Sequence, residues 1–320
     1  MNISYNFYGK TNKEKESIDN CQDAFQTSEK CFAIADGASD GGSYPDIWAN
    51  LLVNHYCENP NITKENWKDW LKPIQAQWLN EVNEKIKLNK ENNNPSWFYN
   101  KKKTFERKQP AGAAFIGVQV KENQFDIVIV GDCCLFIYQD KKIVKVIPYT
   151  KPADFGNFPE YFASFEKDNK FPPKFITYSI QNKKETYFIL ATDAFAKWII
   201  ENIIAKKNMF NFLISISSQN QFEDIINKMR KAEIIKLQND DVALIVAKIS
   251  EKKDNSNQKI LELIDEKNKL NENTNNTKPI LTNEEHIPEI TSIKKEEANI
   301  FIKAFNKLKI RKYNDNISDI

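Results

Sequence analysis

Residues 31–39 read CFAIADGAS: five apolar residues, then an aspartate, a glycine and two small residues. An apolar run without helical spacing that stops at Asp-Gly has the form of a buried strand running into a turn. The pattern returns in IVIVGD at 127–132, in FILATD at 188–193 and, with the acid ahead of the strand, in NDDVALIV at 239–246. A carboxylate at a strand end stands on a loop carried by a rigid scaffold, where functional groups are usually mounted. One such aspartate is an ordinary turn residue, held by bonds from its side chain to the backbone. Asp36, Asp132, Asp193 and Asp240, each joined to an apolar strand, are harder to explain as four separate turns. If the strands lie side by side the carboxylates converge, and clustered like charges stay ionised only when cations neutralise them.

Two histidines, His55 and His286, have to supply every imidazole of the chain. A site built on oxygen ligands therefore points to a hard divalent cation, magnesium or manganese. Working outward, strands are expected at 31–35, 113–120, 125–130, 135–138, 186–191 and 242–249, and helices at 45–57, 64–88, 196–206 and 222–231. The helices come in pairs and do not alternate with strands, which argues against a succession of βαβ units. The expected body is a layered α+β sandwich with sheets packed on each other and helices outside.

Composition agrees with a large folded body. Of 320 residues, 41% are apolar and 28% charged, which excludes collagen-like, disulfide-scaffold and wholly disordered chains. Lys plus Arg number 46 against 44 acids, a net charge of +2, so no polycationic field draws nucleic acid, and a two-metal nuclease is disfavoured. The first twenty residues lack the apolar core of a signal peptide, and no run reaches the length of a membrane span. A soluble, cytoplasmic protein is expected. Cys21, Cys31, Cys57, Cys133 and Cys134 are odd in number and form no C-x-x-C pair, so reduced thiols are expected. Gly9-Lys10-Thr11 lacks the upstream glycine of a phosphate-binding loop, and nucleotide binding is discarded.

After Ile249 the composition changes to Asn, Lys and Glu tracts with little to bury. The expected division is a body over 1–250 and a low-complexity tail over 251–320. Within the tail, Phe301, Phe305 and Leu308 share a helical face beside Lys303, Lys307, Lys309, Arg311 and Lys312. This short basic amphipathic helix is read either as a docking element for a partner or as a solvated tail.

NCQDAF at 20–25, FAIADGAS at 32–39, AGAAFIGV at 111–118, VGDCCLFIY at 130–138, ILATDAFAKW at 189–198 and NDDVALIVAKI at 239–249 follow one another in the order of the metal-dependent protein phosphatases (PPM, type 2C). The chain resembles that family, and most closely its bacterial CQDA/DGA/TDA/NDD branch. No single motif is specific; six in order are. The resemblance implies a four-layer α/β/β/α sandwich, two antiparallel sheets flanked by helix pairs, with a two-metal site at one edge. It implies Asp36 as the carboxylate bridging two Mn²⁺ or Mg²⁺ ions, the Gly37 carbonyl as a ligand of the second, Asp193 and Asp240 as ligands of the first, and Asp132 as ligand of a third, weaker ion. Asp36, Asp193 and Asp240 thereby become the catalytic set.

Gln22 stands where many relatives carry a glutamate that holds a metal-bound water. Asp23 is read as a buried carboxylate capping the DGAS turn, ahead of direct ligation, and Asp241 as solvated or one layer behind the metals. The implied reaction is attack of a metal-activated water on phosphoserine or phosphothreonine of a protein, in opposition to a Ser/Thr kinase. Two departures stand out: Ile18 occupies the place of a phosphate-binding arginine, leaving Lys15 as the nearby candidate, and Ala38 occupies the place of a general-acid histidine. They motivate an alternative, a phosphatase-like module that binds a phosphoprotein or kinase without useful catalysis. His55, on the apolar stripe of its helix, is read as a core residue, and Trp198 as packing between helix and sheet.

Overall fold

The computed structural model describes residues 1–38, 42–91, 96–122, 124–156, 159–179 and 185–250. The tail division, its basic helix and His286 lie outside the described residues.

The chain runs β1 (Asn2–Thr11), β2 (Ala24–Thr27), β3 (Cys31–Gly37), α1 (Pro45–Glu58), α2 (Trp67–Glu91), α3 (Ser96–Glu106), β4 (Gly112–Val120), β5 (Phe125–Val130), β6 (Cys134–Gln139), β7 (Lys142–Ile147), β8 (Phe162–Ala163), β9 (Lys174–Tyr178), β10 (Thr186–Ala191), α4 (Asp193–Ile204), α5 (Phe210–Ile214), α6 (Gln219–Arg230) and β11 (Val242–Ser250). One sheet has the order β1-β11-β10-β6-β7 and the other β2-β3-β4-β5-β9, with β8 added beside β4. The pairings are antiparallel.

Three apolar layers hold the sandwich together. Strand side chains alternate between faces, and the inward set meets at the centre: Phe32 and Ile34 of β3, Ile116 of β4, Ile127 and Ile129 of β5, Leu135 and Ile137 of β6, Phe188 and Leu190 of β10, Ala243 and Ile245 of β11. Phe188 anchors this layer, with ring centroids 4.5 Å from Phe125 and 6.3 Å from Phe32. The outward set of the second sheet, with Ala33, Ala35, Phe115 and Val128, packs under Trp48, Leu52, Trp70 and Trp78 of α1 and α2. The outward set of the first sheet, with Phe136, Ile189, Leu244 and Val246, packs under Phe195, Ile199, Phe210, Phe222 and Ile226 of α4 to α6. The result is the four-layer α/β/β/α architecture. The helix pairs are each extended by a third member: α3 brings Phe105 against Trp78 at 5.7 Å, and α5 brings Phe210 against Tyr138 at 5.1 Å.

All five cysteines are free. Among the described residues no helix is long and apolar enough to cross a membrane. His55 lies half-buried against Trp70, ring centroids 5.0 Å apart, and burial lowers its pKa; its Nε2 has no hydrogen-bond partner, so it is packed but not satisfied. Trp198 is buried beside Phe195 and donates its indole N–H to the Ile235 carbonyl at 3.1 Å, a packing role.

Candidate active site

The strand period that fills the core also delivers the acids. Phe32 and Ile34 face the inter-sheet layer, and Asp36, two residues further and still paired with Ala114 across β3 and β4, takes the next inward position at the open end of the sandwich. Asp36 is thus a strand residue and not a loop residue. Asp132 follows Gly131 in the turn between β5 and β6, where Gly131 has φ +84°. A β-carbon on Gly131 would lie 2.5 Å from both the Ala114 β-carbon and the Glu160 carbonyl oxygen, so only glycine allows the turn. Asp193 is the first residue of α4 and accepts a hydrogen bond from the Ala194 N–H. It sits on a helix N-terminus, which favours negative charge, and not on a free loop. Asp240 lies in the turn ahead of β11.

These elements enclose a cleft of about 240 Å³ whose wall includes Gln22, Asp36, Gly37, Asp132, Asp193, Asp240 and Asp241, together with Lys13 and Lys197. Phe155, Pro159 and Tyr161 supply an apolar flank. Gly37 has no room for a side chain, since a β-carbon would stand 2.7 Å from the Gln22 carbonyl oxygen and 3.0 Å from that of Pro45. Lys15, the phosphate candidate from sequence, is exposed and is not on the wall; Lys13, two residues earlier, is.

Asp23 and Asp241 are both buried. Asp23 is 1% exposed, and its Oδ2 has no hydrogen-bond partner. Among the described residues no backbone N–H of residues 36–38 reaches its carboxylate, and Ser39 of the DGAS turn lies outside the described residues. Asp241 is 5% exposed and not solvated. Its two oxygens accept from the backbone N–H of Lys13 at 2.9 Å and of Gln22 at 2.8 Å. It ties the segment carrying Gln22 to the start of β11, and both Asp240 and Asp241 stand on the cleft wall.

Electrostatics record the crowding. Burial, followed by the neighbouring Asp193 charge, pushes the Asp132 carboxyl up to about 7. Asp36 and Asp23 are raised well above the carboxylate range, first by burial and then by the other aspartates. Asp193 is raised by burial and by Asp240. After burial, the Asp193 charge is the next cause raising Asp36, so the two carboxylates crowd each other at the cleft. Asp240 pairs with the Lys13 ammonium at 2.9 Å; burial opposes the charge on Lys13, but the bond to Asp240 together with the charges of Asp240, Asp241 and Glu16 outweighs it and raises the lysine pKa.

Among the described residues no three His, Cys, Asp or Glu side chains already stand close enough to enclose one ion. The donor set nevertheless suits a hard cation. It is all oxygen, it is acidic, and buried Asp132 Oδ1 and Gln22 Oε1 have no hydrogen-bond partner.

An α/β/β/α sandwich with an acidic cleft at the open end of its two sheets is the class of protein defined so far. The sequence model described as Protein phosphatase 2C matches residues 13–234. The chain belongs to the protein phosphatase 2C family and with it to the protein serine/threonine phosphatases. Among solved structures it is similar to the Mycobacterium tuberculosis serine/threonine phosphatase PstP/Ppp, at 14% identity and a TM-score of 0.46, over 78% of this chain and 100% of that one. It is also similar to Stp1 from Staphylococcus aureus, at 14% identity and a TM-score of 0.45, over 76% of this chain and 94% of that one. A third similar structure is the PstP catalytic domain in complex with two manganese ions, at 12% identity and a TM-score of 0.43, over 78% of this chain and 99% of that one. No curated protein sequence matches the chain.

Lys197 escaped the sequence reading. Its position four residues after Asp193 was the available signal, since residues at that spacing share a helix face.

Proposed function

We propose that the chain hydrolyses phosphoserine and phosphothreonine in proteins by a water activated at two divalent cations, magnesium or manganese. Asp36, the Gly37 carbonyl, Asp193 and Asp240 would hold the two ions, and Asp132 a third, weaker one. The observation that carries this reading is the meeting of Gln22, Asp36, Gly37, Asp132, Asp193 and Asp240 on one cleft wall. Bound divalent cations supply Lewis acidity that makes water a nucleophile near neutral pH and draws charge from the phosphoryl oxygens.

The chain's own groups do the rest. Asp36 and Asp193, together on the cleft wall, form the acidic seat. The Gln22 amide oxygen accepts a hydrogen bond from the attacking water and orients it without adding charge. Ala38 brings no acid to the cleft, so the leaving serine or threonine oxygen takes its proton from water. Phe155, Pro159 and Tyr161 offer an apolar flank for the peptide beside the phosphorylated residue. A kinase that writes the same phosphate is the partner class implied. The alternative of a silent phosphoprotein-binding module is favoured by no observation of the site, since the four strand-end acids all reach the cleft.

The test is hydrolysis of a phosphopeptide with Mn²⁺ or Mg²⁺. Asp36→Asn and Asp193→Asn should each lower the rate by at least about hundredfold, beyond the loss usual for partners that only orient a ligand. Full activity in either variant, or no turnover by the wild-type protein with metal, would refute the reading.

A further inference from the structure

With Ile18 where the family resemblance places an arginine, the group that captures substrate phosphate has to be found in the structure. The chain has three arginines, Arg107, Arg230 and Arg311. Arg230 is 4% exposed and donates to the backbone carbonyl of Asp240 from behind the cleft. Arg107 is exposed just after α3 and away from the cleft wall, and Arg311 lies outside the described residues. The cations on the wall are two lysines, Lys13 and Lys197.

They are in different situations. Lys13 is committed: its ammonium is paired with Asp240 at 2.9 Å, and its own N–H is held by Asp241. Lys197 is half-buried and makes no ion pair or hydrogen bond among the described residues. It lies on α4, one turn after Asp193. Helical side chains lean back toward the N-terminus of their helix, so the Lys197 stem runs toward the end of α4 that presents Asp193 to the cleft. Of the charged groups on the wall, Asp36, Asp132, Asp193, Asp240 and Asp241 repel a phosphate dianion, and Lys197 is the cation with its donors uncommitted.

Resting on the phosphatase reading above, we propose that the Lys197 ammonium receives the phosphoryl oxygens of the substrate, in place of an arginine from the amino-terminal segment. A lysine binds phosphate as a point charge, without the planar two-point grip of a guanidinium. Lysine-based capture therefore tolerates a wider range of approach for the phosphoester.

The experiment uses the full chain with Mg²⁺ and para-nitrophenyl phosphate, with inorganic phosphate as inhibitor and as titrant in calorimetry. Lys197→Met should raise KM and the phosphate inhibition constant together, roughly ten- to hundredfold, as expected for loss of a hydrogen bond to a charged group. It should change kcat less, and calorimetry should show the same weakening of phosphate binding without turnover. Lys197→Arg should recover most of the affinity. Lys197→Gln, closer in polarity, provides the same comparison if the Met variant is poorly folded. Unchanged phosphate affinity in folded Lys197→Met or Lys197→Gln protein overturns the assignment, as does a loss produced by Lys15→Met in their place. If the wild-type protein binds phosphate through Lys197 but hydrolyses nothing, the assignment stands and the phosphatase mechanism fails.

Discussion

Asp241 shows how a residue outside the catalytic set can control it. It holds Lys13 and Gln22 by their backbone N–H groups, so it fixes where the Gln22 amide and the Lys13 ammonium enter the cleft. Asp241→Ala would leave two part-buried donors without an acceptor, at a cost of at most roughly 1–3 kcal/mol each. It should also weaken metal-supported activity by about 10- to 100-fold, the range for partners one layer behind a ligand. Urea unfolding and a metal titration of activity on the same variant check both halves; a variant with normal stability and normal metal dependence would show that the tether is ornamental. The sequence displayed Asp240-Asp241 as a pair, but the acceptor geometry needed the segment around residues 13–22, more than 200 positions away, to be in place.

Among elements, the strands legible from sequence were β3, β4, β5, β6, β10 and β11, which are the interior strands of the two sheets. The strands that escaped, apart from the two-residue β8, were β1, β2, β7 and β9, the four edges. The cause is burial. An interior strand is covered on both faces and reads as a continuous apolar run, whereas KIVKVI of β7 and KFITY of β9 keep lysines and exposed positions, as edge strands commonly do. The turn between interior strands β5 and β6 carries Asp132, and Gly131 makes that turn possible. Gly131→Ala forces a left-handed conformation on a residue with a β-carbon and drives that carbon into Ala114 and the Glu160 carbonyl. A loss of roughly 2–4 kcal/mol is expected, read by thermal or urea unfolding, with a fall in activity because Asp132 is the next residue. A melting temperature equal to the wild type's would mean that the turn relaxes freely.

For the whole molecule, the acidic cleft makes stability depend on pH in an unusual direction. Buried Asp132 is raised to about 7, and Asp23, Asp36 and Asp193 are raised as well. A carboxyl whose folded pKa lies above its unfolded value, about 3.9, holds its proton more tightly in the folded state. Its favourable contribution is complete below pH 4 and is lost as pH rises through the folded value. In a chelator the melting temperature should therefore fall between about pH 5 and pH 7.5, and Asp132→Asn should flatten part of that slope. Mg²⁺ should restore stability more at the upper end than at the lower, by binding the folded state alone. A chelator series that is flat or rising with pH would contradict this account of the cleft. The same long-range assembly marks the limit of sequence reading. Local apolar periodicity is a property of neighbouring residues, so the sequence by itself determined the interior strands, the main helices and the four strand-end aspartates. Which acids crowd one another, which lysine is already paired, and that Lys197 stands on the wall with Asp36 and Asp132 depend on β3, β5 and α4 meeting across the sandwich, and only the tertiary structure decided them, because distances between segments far apart in sequence are set by how the layers pack.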